Sequence, residues 1–332
     1  MGVRVSPEPL QYTPRVAPLG GRPSPVAVAR SFARRRQVPL VVAGTAGTAA
    51  ALGWVIAGRR HEFAAAVAGA SVWVLLATTL MQVVALLARS EAWHLSIQAA
   101  GGRVERRILY RASSMQVLGG LLNSQLGVAA RIAALRRSSP AVCPQVPTLI
   151  AAELPILAVE ALMAAVFSFT LVGPLGLPWW LPVVAIAGIG SASAGLRHLA
   201  VGKGRELWRG LAVARSLSHG SRLIAFVLVA ILAQTVRGWI LLHAVGVDAS
   251  LFDAVAVLIA VVTLAQLPIG PGASAAAAVL ILGRQGVAAS AAAGVLLTAT
   301  GTVGGACFAA WAGGDRLWAH RRARRPGQRE RT

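Results

Sequence analysis

Three ionisable residues stand where chemistry would be costly to place by accident. Glu153 and Glu160 lie seven residues apart within one apolar run, two helical turns, so both carboxylates share a helix face. Arg237 sits well inside another apolar run. A charged group inside such a run marks either a path for a polar substrate or a paired structural contact. Arginine suits a phosphate, because its planar fork donates two parallel hydrogen bonds, and a buried carboxylate can carry a proton. Two uses of Arg237 follow: it pairs with one of the two glutamates, or it holds an anionic phosphate in a central cavity. The competing reading is a salt bridge that only ties helices together.

Other chemistry is not apparent. His61, His94, His198, His219, His243 and His320 are scattered and read as interface or loop residues. Cys143 and Cys307 are far apart, with no Cys or His at metal-ligand spacing, so neither a disulfide framework nor a zinc site is expected. Gly202-Lys203-Gly204 lacks the first glycine and the final Ser or Thr of a phosphate loop, since Arg197 and Gly204 stand there. With no catalytic constellation, the chain is not expected to be an enzyme or to carry a cofactor or metal.

The elements that must hold these residues are set by composition. Apolar residues make up 56% of the 332 and charged residues only 13%, with a mean hydropathy of +0.67. That excludes an ordinary soluble enzyme. The net charge of +21 is clustered between long apolar runs, the arrangement of a membrane protein rather than of a nucleic-acid binder. Residues 1–38 are rich in Pro and Arg without apolar periodicity and read as a disordered basic cytoplasmic arm. A signal peptide is not expected, because the apolar run starts far from residue 1 and further spans follow.

A bilayer core needs about 20 mostly apolar residues per helix. Runs of that kind are 39–57, 63–88, 146–172, 177–195, 223–246 and 288–313. Two more are interrupted: 112–130 by Gly119-Gly120 and Asn123-Ser124-Gln125, and 252–283 by Pro268-Ile269-Gly270-Pro271-Gly272. If both dip in and return as hairpins, all but four of the 32 cations fall on the cytoplasmic side. Arg59, Arg60 and Arg284 face out, and Arg237 stays within a span. A full crossing at 112–130 would instead place Arg131, Arg136, Arg137 and the next basic loop outside. The fold expected is an all-α polytopic membrane protein of six full spans and two re-entrant or broken hairpins. Its membrane domain covers 39–313, and a basic cytoplasmic tail follows at 314–332.

Those eight apolar elements form an inverted repeat, with halves at about 39–172 and 177–313. Trp93-His94-Leu95-Ser96-Ile97-Gln98-Ala99-Ala100-Gly101 is similar to Trp239-Ile240-Leu241-Leu242-His243-Ala244-Val245-Gly246, and some thirty residues after each comes a hairpin tip. Inverted repeats with broken helices near the midplane are how many secondary transporters build a substrate site. Irregular backbone survives there only against protein or a wet cavity.

At the second tip, Gln266-Leu267-Pro268-Ile269-Gly270-Pro271-Gly272 and the later Gly286-Val287 resemble the flippase-like membrane domain related to lysylphosphatidylglycerol synthetases. That family shows a Leu-Pro, Pro-Gly-Gly and Gly-Val run there. Residues 89–101, with Trp93, are similar to its arginine-tryptophan stretch. Gly127 and Arg131 fit the Gly-Glu-x-x-Arg element of its first tip, and Glu153 fits a glutamate on the following span. The likeness covers about residues 40–313.

The departures fall at charges. The Arg-Glu pair that closes the family's second tip is replaced by Ala277 and Ala278, the first-tip Glu by Val128, and Pro-Ala-Arg by Asn123-Ser124-Gln125. The chain ends soon after Gly313 without an aminoacyl-transfer domain, so aminoacylation of lipid is not expected. The charge pattern places both termini in the cytoplasm, and the resemblance implies a protein of the cell membrane that binds or moves a lipid or lipid-linked molecule. Movement would be passive or driven by an ion gradient, with Glu153 or Glu160 carrying a proton in the second case. Its partners would be membrane lipids, anionic or lipid-linked, and no nucleic acid. A scaffold for a cell-envelope enzyme is the alternative, and a membrane-embedded transferase ranks third. The residues expected to line the path are Arg237, Glu153, Glu160, Arg131, Gly127, Asn123, Gln125, Gln266, Pro268, Gly270, Pro271 and Gly272.

Overall fold

A computed structural model describes residues 43, 46–47, 49–50, 53–54, 56–120, 124–138, 143–202, 217–266 and 272–323. Every regular element among them is a helix. Four helical stretches are long and apolar enough to cross a membrane: Val72–Ala99, Val146–Leu175, Ser218–Ala244 and Val287–Gly314. The chain is thus an all-α membrane protein. The arm at 1–38, the basic loop at 203–216 and the end of the tail lie outside the described residues, as do the bounds of the expected first span.

In chain order the helices are α1 (Arg60–Gly69), α2 (Val72–Ala99), α3 (Arg106–Gly120), α4 (Ser124–Ser138), α5 (Val146–Ala151) and α6 (Leu154–Phe167). They continue as α7 (Val172–Leu175), α8 (Trp180–Gly202), α9 (Leu217–Ala244), α10 (Leu251–Leu264), α11 (Ala273–Leu282) and α12 (Val287–Ala323). The expected span 63–88 is corrected: a break at Ala70–Ser71 divides it. Ser71 is extended, and its hydroxyl accepts from Val74 N at 3.3 Å, capping α2 where the apolar run gives no hint of an end. The helix then runs on to Ala99, past Arg89 and Glu91.

The two sequence stretches that resemble each other are the C-terminal ends of α2 and α9. Each of these helices has 28 residues and is closed by a left-handed glycine, Gly101 at φ +88° and Gly246 at φ +81°. Just beyond each glycine a backbone N–H bonds back, Gly102 to Ile97 O and Val247 to Leu242 O, the pattern of a helix C-cap that only glycine enters without strain. In both ends an aromatic ring nitrogen reaches the loop that leads to the next helix. His94 Nε2 lies 3.1 Å from Val104 O, and Trp239 Nε1 donates to Ala249 O at 3.1 Å. The loop before α10 closes with a capping box between Ser250 and Asp253.

Helices α3 and α4 have 15 residues each, about 22 Å at 1.5 Å per residue, too short for a hydrocarbon layer of about 30 Å. They pack against each other as a helical hairpin. Helices α10 and α11, of 14 and 10 residues, form a second one. The long helices α2 and α9 meet through small residues, Ala85 and Ala88 against Ala230 and Ala233, which lets their backbones come close. Helix α12 packs against both of them and against both hairpins. One core surrounds Trp93, Leu109, Leu135, Leu149 and Ile156; the other surrounds Leu241, Val257, Ala277, Ile281 and Leu296. Outside them Trp73, Leu76 and Leu80 form an exposed apolar stripe on α2, the face that suits lipid.

Candidate functional site

The charges within the long helices fall into two groups. The first joins α2, α4 and α6 near the end of the bundle that carries Arg103, Arg106, Arg136 and Arg137, here called the basic end. Arg131, 1% exposed, makes an ion pair with Glu153, and its guanidinium stacks on Trp93 at 3.9 Å from the ring centroid. Glu153 stands at the junction of α5 and α6, where Pro155 withholds a backbone N–H and the helix is interrupted. Two turns on, Glu160 accepts from Arg89 Nη1 at 2.7 Å. Both glutamates are therefore answered by arginines of the first half, and the pairing of Arg237 with either of them does not occur. The helical spacing that places both carboxylates on one face of α6 turns that face toward α2 and α4.

Arg237 forms the second group. It is 4% exposed, and among the described residues no carboxylate pairs with it. Its Nη1 donates to Gln82 Oε1 and, at 2.8 Å, to Gln234 Oε1. Its Nη2 donates to Leu297 O and, at 3.2 Å, to Thr300 Oγ1. Gln234 Nε2 also donates to Gln82 Oε1 at 2.8 Å. Arg237 Nε is buried without a partner. Glycine at 301 leaves the guanidinium its place: a Cβ there would stand 2.9 Å from Nη2 and make it shift. The result is a full positive charge among neutral dipoles where α2, α9 and α12 cross.

One arm of each hairpin reaches this same level, α3 at its end and α11 at its start. On α3, Arg111 Nε donates to Ala312 O at 2.9 Å, and Val117 presses on Gly305, where a Cβ would meet it at 2.3 Å. Helix α3 thus runs antiparallel to α12, and its last residue, Gly120, comes level with about Thr302. On α11, Ala275 lies against Gly294, where a Cβ would stand 2.3 Å from its Cα, and Leu282 O accepts from Ser290 Oγ at 3.1 Å. Gly272 accordingly comes level with about Leu297. The two ends lie about 8 Å apart along α12, at 1.5 Å per residue, on either side of the turn that holds Arg237.

Of the residues expected to line a path, Arg237 and Gly272 come to this level. Gly127 serves the first hairpin as a packing residue: a Cβ would stand 2.6 Å from Gln116 O of the opposite arm. Gln266, at the end of α10, is exposed. Asn123, Pro268, Gly270 and Pro271, and the side chain of Gln125, lie outside the described residues. Arg131, Glu153 and Glu160 belong to the first group of charges. Ala277 and Ala278, at the positions charged in the family that the sequence resembles, are 0% and 1% exposed inside the second core, and Val128 packs on the first. His94, expected at an interface or loop, is buried in α2.

Sequence reasoning missed Gln82, Gln234, Thr300 and Gly301. Gln82 is uncharged and vanishes into its run; Gln234, three residues before Arg237, was the available signal, since residues so spaced on a helix are neighbours. No family model matches the chain, and no curated protein or solved structure matches it either.

Proposed function

We propose that this chain binds and translocates a lipid or lipid-linked molecule with an anionic head group, in the manner of the flippase-like family its sequence resembles. In this reading the hairpins α3–α4 and α10–α11 are re-entrant, entering from opposite faces as halves of an inverted repeat, and the basic end is cytoplasmic. The observation that carries the reading is Arg237: a buried cation with no carboxylate partner among the described residues, at the level where α3 ends and α11 begins. Charge in a bilayer is normally paired or set on a substrate path, and a head-group phosphate would supply the missing anion. Purified protein in vesicles would accelerate the exchange of fluorescent anionic lipid between leaflets. Arg237→Gln would lower that rate roughly tenfold, the value of one charge-assisted hydrogen bond. An unchanged rate in the Arg237→Gln protein, with the wild type active, would remove the role given to Arg237.

A second reading, a non-transporting scaffold for a cell-envelope enzyme, is favoured by the closed apolar packing of Ala277 and Ala278. It anticipates no lipid exchange in the same vesicles for any lipid class.

A further inference from the structure

The pair Arg89–Glu160 differs from the buried pair beside it. Its side chains are 34% and 26% exposed, whereas those of Arg131 and Glu153 are 1% and 7% exposed. Yet Arg89 and Glu160 stand on helices long and apolar enough to span a membrane. Toward the basic end of these helices, a part-exposed charge pair is within reach of water and of lipid head groups. Leu157, one turn before Glu160 on the same side of α6, is 47% exposed, so the surface beside the pair is apolar, as lipid chains require. The guanidinium is not saturated either. Glu160 contacts Nη1, while Arg89 Nε is buried and has no partner. Seven residues along α2, about 10 Å at 1.5 Å per residue, lies Gln82, a ligand of Arg237.

We infer that Arg89, where it bridges α2 and α6, is a docking site for the phosphate of an anionic phospholipid from the leaflet at the basic end, with Glu160 competing for the same guanidinium. A phosphodiester offers two oxygens to the planar fork, where Glu160 makes one contact. Its acyl chains stay against exposed Leu157 while the head group faces inward toward Arg237. Glu160 holds the charge balanced when no lipid is present. The inference rests on the proposed function for its direction, but the site itself is a binding statement that can be tested alone.

The test is equilibrium binding of phosphatidylglycerol to the purified full-length chain in neutral detergent, read by native mass spectrometry. Glu160→Gln removes the competitor and would raise affinity several-fold. Arg89→Gln removes the fork and would lower affinity roughly tenfold, and Arg89→Lys, which keeps the charge without the fork, would fall between. Opposite shifts in the two glutamine variants support the site; equal shifts, or none, overturn it, because a merely structural salt bridge loses the same contact from either side. If one glutamine variant does not fold, the order wild type above Arg89→Lys decides on the same terms. Inorganic phosphate would not compete at matched concentration, and competition by it would overturn the assignment to lipid. If binding shifts as expected while no variant changes lipid exchange in vesicles, the docking site stands and the translocation reading fails. If exchange is present and binding is indifferent to both residues, the reverse holds.

Discussion

A buried cation can be answered by an opposite charge or by dipoles, and this chain uses both solutions within one bundle. Arg131 is neutralised by Glu153 and covered by Trp93, so removing either charge strands the other in a medium that cannot solvate it. Glu153→Gln is expected to cost about 3–5 kcal/mol, while the double change Arg131→Met with Glu153→Leu costs much less, because no bare charge remains. Unfolding in detergent would distinguish the two. Arg237 is held by Gln82, Gln234, Thr300 and a carbonyl, a shell that a small intrusion disturbs. Gly301→Ala would place a Cβ 2.9 Å from Nη2 and is expected to lower lipid exchange severalfold. Gly190→Ala, with nothing within 4 Å, leaves exchange unchanged. The sequence showed which residues are costly, since a charge in an apolar run is conspicuous. It did not show who answers them: Arg89 reads as the flank of a span, Arg131 as the edge of a broken one, and Gln82 carries no charge to notice.

At the scale of the element, glycine decides where helices touch. At Gly127 and Gly294 the neighbour that a new methyl would meet is backbone, Gln116 O at 2.6 Å and Ala275 Cα at 2.3 Å, which cannot swing aside as a side chain can. Alanine at either place is expected to destabilise by about 1–3 kcal/mol through forced separation of the helices. Gly188→Ala, in open space on α8, would be neutral or mildly stabilising; thermal unfolding of the three variants would separate them. Two helical hairpins were legible because Gly119-Gly120 and the Pro-Gly run interrupt apolar stretches of awkward length. The boundary at Ser71 was not. Membrane helices lack the polar face whose periodicity marks ends in water, so a single capping hydroxyl is the whole signal. The matched ends of α2 and α9 were visible as a faint likeness whose cause, a shared glycine cap and ring-to-loop tether, needed coordinates.

For the whole molecule, the charge pattern carries a topology that chemistry can check. Cys143 lies in the loop between α4 and α5, and burial raises its thiol above the ordinary value, only partly offset by Arg136. A raised thiol holds less thiolate near neutrality, so a membrane-impermeant maleimide should label it slowly at pH 7 and faster as pH rises beyond about 8.5. In a Cys307→Ser background that labelling is expected only from the cytoplasmic side, and Trp179→Cys, at a position 71% exposed, only from the other. Labelling of both from one face would overturn the inverted arrangement. A further consequence lies in the side of α12 that bears Gly294, Gly301, Gly304 and Gly305, which meet Ala275, Arg237, Gln82 and Val117 in turn. Interlocking side chains hold helices in fixed registers, and shifting one past another means lifting each tooth from its notch. On α12 the glycines are the notches, with Arg237, Gln82 and Val117 as the teeth and the Ala275 backbone seated beside them, so this one helix is held in register against α2, α3, α9 and α11 together.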